Sequence, residues 1–398
     1  MSFVNQNYTN KLDNVFYKIG QKANLFSKNN PNTQIISLGI GDVTRPFSDK
    51  LTNIMVNALL EQQFASTFKG YPPEQGYLFL REKIKERYKT FNVNLSVNEI
   101  FIGNGIGCDI ANILDIFQDY TPLIIEPTYP AYFASSVLNG KTPLVLNATK
   151  ENDFCVLPNV IEPKQYLIYL CSPNNPTGYT YTKKQLKEWV DFANKTNSII
   201  LLDLAYEFFI QEKLPHTTYT IAGAKKCVIE FCSFSKMSGF TNLRCSYTII
   251  PKAIKRENVN LNSSFLKRQL TKFNGVPYFV QVGAEYVLSS QGQIEQQKNI
   301  DYYKNNVKII CYYLSKLKLD FVSSKSTPYV WLKCPKGKSS WQFFNDLLNN
   351  CAVIVVPGCG FGKCGEGYVR LSGFNSMENT IKACEKIYKY MIKEKCTT

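Results

Sequence analysis

Residues 228–244 read VIEFCSFSKMSGFTNLR and join an apolar run to a polar loop. The run at 228–231 predicts a buried strand. Hydroxyls and a guanidinium hold a phosphate by charge-assisted hydrogen bonds, and burial lowers the pKa of a lysine and frees its amine as a nucleophile. The stretch therefore predicts an amine that reacts with a phosphorylated aldehyde, with a surface Ser/Lys turn as the alternative. The side chains concerned are Ser233, Ser235, Lys236 and Arg244.

Three more short apolar runs lie upstream, at residues 123–125, 166–170 and 199–202. Each is bounded by polar or turn residues, which is typical of strands buried on both faces of a parallel sheet. A helix is predicted between the last two runs, because Thr182 and Gln185 have capping-box spacing. This alternation predicts an α/β domain with helices on both sheet faces and a ligand site at the carboxyl ends of the strands.

The two ends of the chain differ from its middle. Residues 329–332 and 352–356 predict strands that are mixed with helices in the C-terminal region. The chain of 398 residues is also longer than one compact core usually holds. We therefore predict a large α/β domain at residues 46–290 and a smaller α+β domain formed by residues 1–45 and 291–398.

Composition argues against several classes of protein. The net charge of +15 comes from dispersed basic residues, so we expect no nucleic-acid partner. The 13 cysteines contain no Cys-x-x-Cys pair, and His216 is the only histidine, so we expect reduced thiols, no metal site and a cytoplasmic protein. No apolar run approaches the ~20 residues of a membrane-spanning helix, so we expect no membrane association.

Polar motifs follow the three upstream strands. The first is followed by EPTYPAY at 126–132, in which Tyr132 is either a stacking aromatic or a core residue. The second is followed by SPNNPTG at 172–178, a Pro-Gly loop at a strand end. The third is followed by Asp203, and an acid after four apolar residues needs a buried positive partner unless it caps a helix.

Two further motifs carry candidate anion-binding groups. The segment GNGIGCD at 103–109 is a glycine-rich turn whose amides suit a phosphate at a helix N-terminus, with Asp109 as a cap or loop partner. Arg370, in GYVRLS at 367–372, offers a planar guanidinium that can hold a carboxylate by two hydrogen bonds. An exposed surface arginine is the alternative interpretation.

The spacing S-x-S-K-x(7)-R in the first stretch resembles the signature of the class I/II, fold type I aminotransferases, which depend on pyridoxal 5′-phosphate. The resemblance implies a mostly parallel seven-stranded sheet in the large domain and a cofactor covalently attached to Lys236. It places Asp203 at the pyridine nitrogen and Tyr132 against the ring face. Tyr206 and Asn175 would contact the phenolic oxygen. The residues implied at the phosphate are Gly105, Ile106, Gly107, Ser233, Ser235 and Arg244.

Four other segments are similar to those of one subgroup, the LL-diaminopimelate aminotransferases, which are homodimers with active sites at the subunit interface. The likeness implies that Tyr71 reaches the neighbouring subunit's phosphate. Glu74 and Asn274 would contact the distal end of the neighbour's substrate. Within one subunit, the substrate would be bound by Gly41, Asn175 and Arg370. The segments are LGIGDVT at 38–44, YPPEQG at 71–76, FNG at 273–275 and SSWQFF at 339–344.

Several positions depart from the subgroup's pattern. Gly107 stands where a lysine is usual, and Asn14 replaces a tyrosine that faces the substrate. Arg45 stands where an acid or amide is common. Asn242 and Ser246 replace glycines near the phosphate arginine. These departures concern the substrate pocket more than the cofactor residues.

The predicted activity is transamination between an L-amino acid and 2-oxoglutarate by a ping-pong mechanism. Lys236, once freed, would move the proton at the substrate's Cα. Diaminopimelate is the expected amino donor, and lysine, an aromatic or another amino acid is the alternative. A C–S lyase reaction on the same fold also remains open.

Overall fold

The computed structural model of the chain describes residues 3–9, 14–335 and 337–397. None of the helices described there is long and apolar enough to cross a membrane. The α-helices are α1 (Val15–Asn29), α2 (Asp49–Leu60), α3 (Leu78–Thr90), α4 (Ile106–Asn112), α5 (Ala131–Leu138), α6 (Lys183–Lys195), α7 (Ser235–Ser238), α8 (Leu261–Lys272), α9 (Tyr278–Val287), α10 (Ser290–Lys316), α11 (Ser340–Cys351) and α12 (Met377–Thr397).

The strands predicted from the apolar runs are present, with ends that differ by one or two residues, except that the strand predicted at 352–356 is divided into two short strands that belong to different sheets. The strands are β1 (Ile36–Ser37), β2 (Ile100–Gly103), β3 (Pro122–Glu126), β4 (Leu144–Asn147), β5 (Leu167–Cys171), β6 (Ile199–Asp203), β7 (Val228–Ser233), β8 (Ser246–Ile249), β9 (Lys255–Arg256), β10 (Val259–Asn260), β11 (Phe321–Ser323), β12 (Tyr329–Lys333), β13 (Val353–Ile354), β14 (Val356–Pro357) and β15 (Tyr368–Ser372).

Seven strands form the main sheet, in the order β2-β8-β7-β6-β5-β3-β4. Strand β8 is antiparallel to both of its neighbours, and the other pairings are parallel. A parallel neighbour needs a crossover of a dozen or more residues, whereas a short connection returns the chain antiparallel. The connection from Ser233 to Ser246 contains Lys236 and has 12 residues (234–245), the lower limit for a crossover, and it returns the chain antiparallel. The predicted mostly parallel, seven-stranded α/β sheet is confirmed.

The central strands are buried on both faces, as their continuous apolar runs predict. In β5, Ile168 and Leu170 join one apolar cluster, and Leu167 and Tyr169 join another on the opposite face. Helix α6 begins at the predicted capping box, with Thr182 as its N-cap. Burial on both faces leaves the carboxyl ends of the strands as the accessible edge where a site can form.

The C-terminal region contains a four-stranded antiparallel sheet in the order β11-β12-β15-β14. It has an apolar core of its own, which includes Trp331, Phe343 and Leu371. The N-terminal segment returns to this region, because β1 pairs in parallel with β13. Strand β12 pairs with β15 so that Trp331 is opposite Arg370. The division of the chain into domains at residues 45 and 290 stays a prediction.

Candidate active site

A cavity of about 360 Å³ opens at the carboxyl ends of β5, β6 and β7. Side chains from the main sheet, the N-terminal segment and the C-terminal sheet meet there. Most of the candidate residues of the sequence analysis line this cavity, although they are spread over more than 300 positions of the chain. They are Gly41, Ile106, Gly107, Asn175, Asp203, Tyr206, Ser233, Ser235, Lys236, Arg244 and Arg370.

Lys236 lies on the short helix α7, directly after β7. Its Nζ donates a hydrogen bond to the carbonyl oxygen of Gly41. Burial lowers the pKa of Lys236 to about 8, the nearby Asp42 carboxylate opposes this shift, and the positive charges of Arg370 and Arg244 add to it. An ammonium with a pKa this low releases its proton readily, so the amine can act as a nucleophile or base near neutral pH.

Asp203 is the last residue of β6 and is 4% exposed. Its Oδ2 accepts a hydrogen bond of 2.6 Å from the Tyr132 hydroxyl, and its Oδ1 accepts one of 2.8 Å from the amide of Ala205. Burial raises the pKa of Asp203 to about 6, and these two hydrogen bonds limit the rise. Both partners are neutral, so a cationic group entering the cavity would stabilise the carboxylate.

Arg244 lines the cavity from the loop before β8, with a φ of +52°. Its Nη1 donates to the carbonyl oxygen of Thr241 across 2.8 Å. A Cβ on Gly105 would lie 2.0 Å from Nη2 of Arg244, and Gly105 has a φ of +94°. Glycine is therefore required at 105, and its lack of a side chain gives Arg244 its place beside the N-terminus of α4.

Asp109 is buried beside the glycine-rich turn and is not among the described residues that line the cavity. Its Oδ2 accepts a hydrogen bond from the Ser246 hydroxyl, whose oxygen in turn accepts one of 2.7 Å from the amide of Gly105. Burial raises the pKa of Asp109 to about 7, and the Ser246 hydrogen bond is the largest opposing contribution. Ser246 therefore bridges β8 to the turn, which fixes the turn's amides against the sheet.

Arg370 lies on β15 and is 1% exposed, although its guanidinium reaches the cavity. Nη1 donates to Oδ1 of Asn175 across 2.7 Å, and Nη2 donates to the carbonyl oxygen of Gly39 across 2.9 Å. Among the described residues, Nε has no hydrogen-bonding partner. A Cβ on Gly41 would lie 3.4 Å from Nη2, so the glycine keeps the approach to this guanidinium clear. A buried cation with spare donors is suited to a carboxylate ligand.

The structure places Tyr132 elsewhere than the sequence analysis expected. Tyr132 lies in the first turn of α5, where it is 1% exposed and donates to Asp203. Its ring stacks on Tyr169 in the core, 5.3 Å between centroids. Tyr129, three residues earlier and before the helix, lines the cavity instead. Both tyrosines belong to one short motif. Because α5 begins at Ala131, Tyr132 lies inside the helix with its ring in the core, whereas Tyr129 precedes the helix and its ring faces the cavity.

Tyr71, Glu74 and Asn274 are exposed, and they are not among the described residues that line the cavity of their own chain. Tyr71 is 87% exposed. The two loops that carry them touch, because a Cβ on Gly275 would lie 2.5 Å from Cγ of Pro72. These three residues therefore form one surface, as expected for groups that act in a neighbouring subunit, and that role stays a prediction.

Several cavity residues were not identified from the sequence. Thr241 lies within the Lys236 motif, and its hydroxyl could have been noticed there. Asp42 follows Gly41 in the segment at 38–44 and could have been noticed there, whereas no spacing pattern marks Phe16 or Tyr329 as site residues. Asn14, which replaces a tyrosine of the subgroup, accepts hydrogen bonds from the amides of Phe16 and Tyr17 as the N-cap of α1.

The model of the family described as aminotransferase class I and II matches residues 33–387. The match includes every described residue that lines the cavity except Phe16. The chain belongs to this family. Class I and II aminotransferases use pyridoxal phosphate, and the chain is an aminotransferase.

Individual relatives show which aminotransferases this chain resembles. The chain is 45% identical over 404 residues to the LL-diaminopimelate aminotransferase of Prochlorococcus marinus (strain MIT 9515), which covers 96% of this chain and 98% of the relative. It is 41% identical to the enzyme of that name from Methanosphaera stadtmanae, with 98% and 97% covered. The solved L,L-diaminopimelate aminotransferase of Chlamydomonas reinhardtii superposes with a TM-score of 0.92 at 33% identity, over 98% of each chain.

The residues present fit pyridoxal phosphate. Gly105 leaves room beside the guanidinium of Arg244, where a side chain would fill the cradle, and the hydroxyls of Ser233 and Ser235 line the same cavity. The buried carboxylate of Asp203 has neutral partners and suits a protonated ring nitrogen. Lys236 supplies a buried amine of lowered pKa. The cavity therefore contains a chemically suitable group for each part of pyridoxal phosphate, namely its phosphate, its ring and its aldehyde.

Proposed function

We propose that this aminotransferase transfers an amino group between LL-diaminopimelate and 2-oxoglutarate, and that it serves lysine biosynthesis. The observation that carries the proposal is that Lys236, with its pKa lowered by burial, shares one cavity with Asp203, Arg244 and Arg370. The choice of diaminopimelate rests on the relatives of that name, which match this chain over nearly its whole length.

Each part of the cofactor has a proposed partner in the chain. When bound, pyridoxal phosphate supplies an electron sink for the electrons released at the substrate's Cα. Asp203 holds the ring nitrogen protonated, and Tyr129 rather than Tyr132 packs against the ring. Asn175 and Tyr206 contact the phenolic oxygen. The phosphate is held by the amides of Gly105, Ile106 and Gly107 and by the side chains of Ser233, Ser235 and Arg244.

The substrate is oriented by Arg370 and Asn175. The guanidinium of Arg370 already contacts Asn175, so it is fixed before substrate arrives, and its remaining donors bind the α-carboxylate. Gly41 leaves space beside this contact. The amine of Lys236 would take the proton from the substrate's Cα, because burial lowers the pKa of Lys236 to about 8, whereas the Asp203 carboxylate is assigned to the ring nitrogen.

The distal end of the substrate would be recognised from a second subunit. We infer a homodimer in which the partner subunit's Glu74 and Asn274 receive the distal ammonium, and the partner subunit's Tyr71 reaches the phosphate. The exposed aromatic residues Phe64 and Phe68, close to Tyr71 in the chain, support this inference, because a cluster of exposed aromatic rings is typical of an interface. A cytoplasmic location belongs to the same proposal.

The proposal is tested with purified holoenzyme and 2-oxoglutarate. LL-diaminopimelate is compared with its other stereoisomers, lysine, an aromatic amino acid and alanine as amino donors, with glutamate formation as the readout. We expect the highest kcat/KM for the LL isomer. A preference for another donor would contradict the substrate. Cystathionine, whose β C–S bond a lyase can break, is included as a separate substrate, and release of pyruvate and ammonia from it without glutamate would indicate a lyase instead.

A further inference from the structure

Tyr329 connects two groups of the site that lie in different sheets. It lies on β12 in the C-terminal sheet, is 1% exposed and lines the cavity. Its hydroxyl is 2.6 Å from the hydroxyl of Tyr206, which follows the main-sheet strand β6. Its ring lies under the guanidinium of Arg370, with Cζ 4.2 Å from the ring centroid. One buried side chain therefore contacts both a cofactor partner and the proposed carboxylate-binding group.

The direction of the hydrogen bond between the two tyrosines follows from proton counting. Burial raises the pKa of Tyr206 and of Tyr329, so both hydroxyls keep their protons. If Tyr206 donates its single proton to the phenolic oxygen of the cofactor, its own oxygen is left to accept from Tyr329. The bonds then form a chain in one direction, and each strengthens the other by roughly 10–30%.

The ring of Tyr329 has a separate effect on Arg370. A guanidinium over a tyrosine face is attracted by the ring's negative π face. The pairing of β12 with β15 fixes this geometry, since the two residues lie on adjacent strands of one sheet. A Cβ on Gly41 would lie 3.1 Å from the Tyr329 hydroxyl, so the chain is also close-packed on the cavity side of the tyrosine.

We propose that Tyr329 is a positioning residue that acts through two neighbours. Its hydroxyl donates to Tyr206 and keeps that hydroxyl directed at the cofactor oxygen, while its ring supports Arg370 in the orientation that receives the carboxylate. This inference rests on the proposed roles of Tyr206 and Arg370, and it adds to them a residue that coordinates cofactor and substrate binding across the two sheets.

The hydroxyl is tested with Tyr329→Phe, which keeps the ring. Without the Tyr329 hydroxyl, Tyr206 is a weaker hydrogen-bond donor to the phenolic oxygen of the cofactor. That oxygen then keeps more negative charge, so the nitrogen that joins Lys236 to the cofactor holds its proton more tightly. We expect the pKa of the holoenzyme's visible absorbance transition to rise by about 0.5 unit, and the KM for the amino acid to stay within about twofold. Tyr368→Phe, which removes a hydroxyl on the adjacent strand β15 outside the cavity, should change neither quantity.

The ring is tested with Tyr329→Leu, which removes both contacts. We expect the same change in absorbance and, in addition, a KM for the amino acid that is about fivefold higher, because Arg370 loses its aromatic support. Thermal unfolding of the cofactor-free proteins and their cofactor content after reconstitution show whether each variant is folded. If Tyr329→Leu does not fold, Tyr329→Phe alone still decides the hydroxyl's role.

A double variant tests whether the hydroxyl acts through Tyr206. Tyr206→Phe should raise the absorbance pKa by itself, and adding Tyr329→Phe to it should produce no further rise. An unchanged or lowered pKa in Tyr329→Phe, or shifts that add in the double variant, would overturn the inference. A Lys236→Ala protein that still develops the absorbance band would instead contradict the proposed function, so the two failures are distinguishable.

Discussion

Nη1 of Arg370 donates to Oδ1 of Asn175 across 2.7 Å, and this contact joins the C-terminal sheet to a loop of the main sheet. Arg370 lies on β15, and Asn175 lies in the loop that follows β5. Each residue is buried, so the pair holds the guanidinium in one orientation without a ligand. The substrate-binding geometry is therefore a property of how the two sheets pack.

Replacement of Arg370 by lysine tests this fixed geometry. Lys keeps the positive charge but loses the planar fork, and with it a charge-assisted hydrogen bond to the carboxylate. We expect kcat/KM to fall about tenfold to a hundredfold, mainly through KM. Steady-state kinetics with several amino acids measures this change. Arg256→Lys is the matched control, because this arginine lies outside the cavity and donates to the backbone carbonyl oxygens of Asn197 and Ser198; an equal loss there would contradict the role of Arg370.

Lys236→Met should stabilise the cofactor-free protein while abolishing turnover. Burial lowers the pKa of Lys236 from 10.5 to about 8, so the folded state binds this proton less tightly than the unfolded state. The charged lysine therefore costs up to about 3 kcal/mol of stability below pH 8, and the cost disappears as pH rises from 8 toward 10.5.

Denaturant unfolding of cofactor-free wild type and Lys236→Met across this pH range measures the effect. The gain in the free energy of unfolding should be largest below pH 8 and shrink above it. Lys213→Met, in a loop outside the cavity, serves as the control. A gain in the free energy of unfolding that does not depend on pH would mean that the pKa of Lys236 is not lowered in the folded protein.

Asp203→Asn should leave the fold intact and lower kcat. The asparagine amide oxygen can still accept the hydrogen bond from Tyr132, but the amide has no negative charge to keep the ring nitrogen protonated. We expect kcat to fall about a hundredfold or more, with a smaller change in KM. Reconstitution with a cofactor analogue whose ring nitrogen carries a permanent positive charge should recover part of the rate. Wild-type kcat in Asp203→Asn would contradict the assignment.

Gly105→Ala should weaken cofactor binding. The added Cβ would lie 2.0 Å from Nη2 of Arg244, and Gly105 has a φ of +94°, so both the arginine and the turn must move. We expect the dissociation constant for pyridoxal phosphate to rise at least about tenfold. Equilibrium titration of the cofactor-free protein measures it. Gly20→Ala, a glycine in α1 with open space around it, should bind the cofactor normally.

Complementation between inactive subunits tests the shared active site. In a heterodimer of Lys236→Ala and Glu74→Gln subunits, one of the two sites contains both native residues if Glu74 acts across the interface. Random mixing should then restore roughly a quarter of the wild-type activity with diaminopimelate. If Glu74 acts within its own subunit, no such site forms and mixing restores nothing. Alanine as substrate should be affected little by Glu74→Gln alone.

The sequence by itself determined the main sheet and the cofactor motifs. Continuous apolar runs ending in Asp203 and before Lys236 specify buried parallel strands, and parallel strands bring their carboxyl ends to one edge. The chemistry of those strand-end residues could therefore be predicted from the sequence alone. The apolar runs predicted β3, β5, β6 and β7 of this sheet. Strands β2, β4 and β8 were not anticipated, and neither was the antiparallel direction of β8, since it depends on how the loop that carries Lys236 turns back.

Tertiary structure decided the rest of the site. The start of α5 turned Tyr132 into the core and left Tyr129 facing the cavity. The packing of the C-terminal sheet against the main sheet brought Tyr329 to Tyr206. The contact between Tyr329 and Tyr206 joins residues 123 positions apart, so no local spacing encodes it, and the packing of side chains between the two sheets determines it.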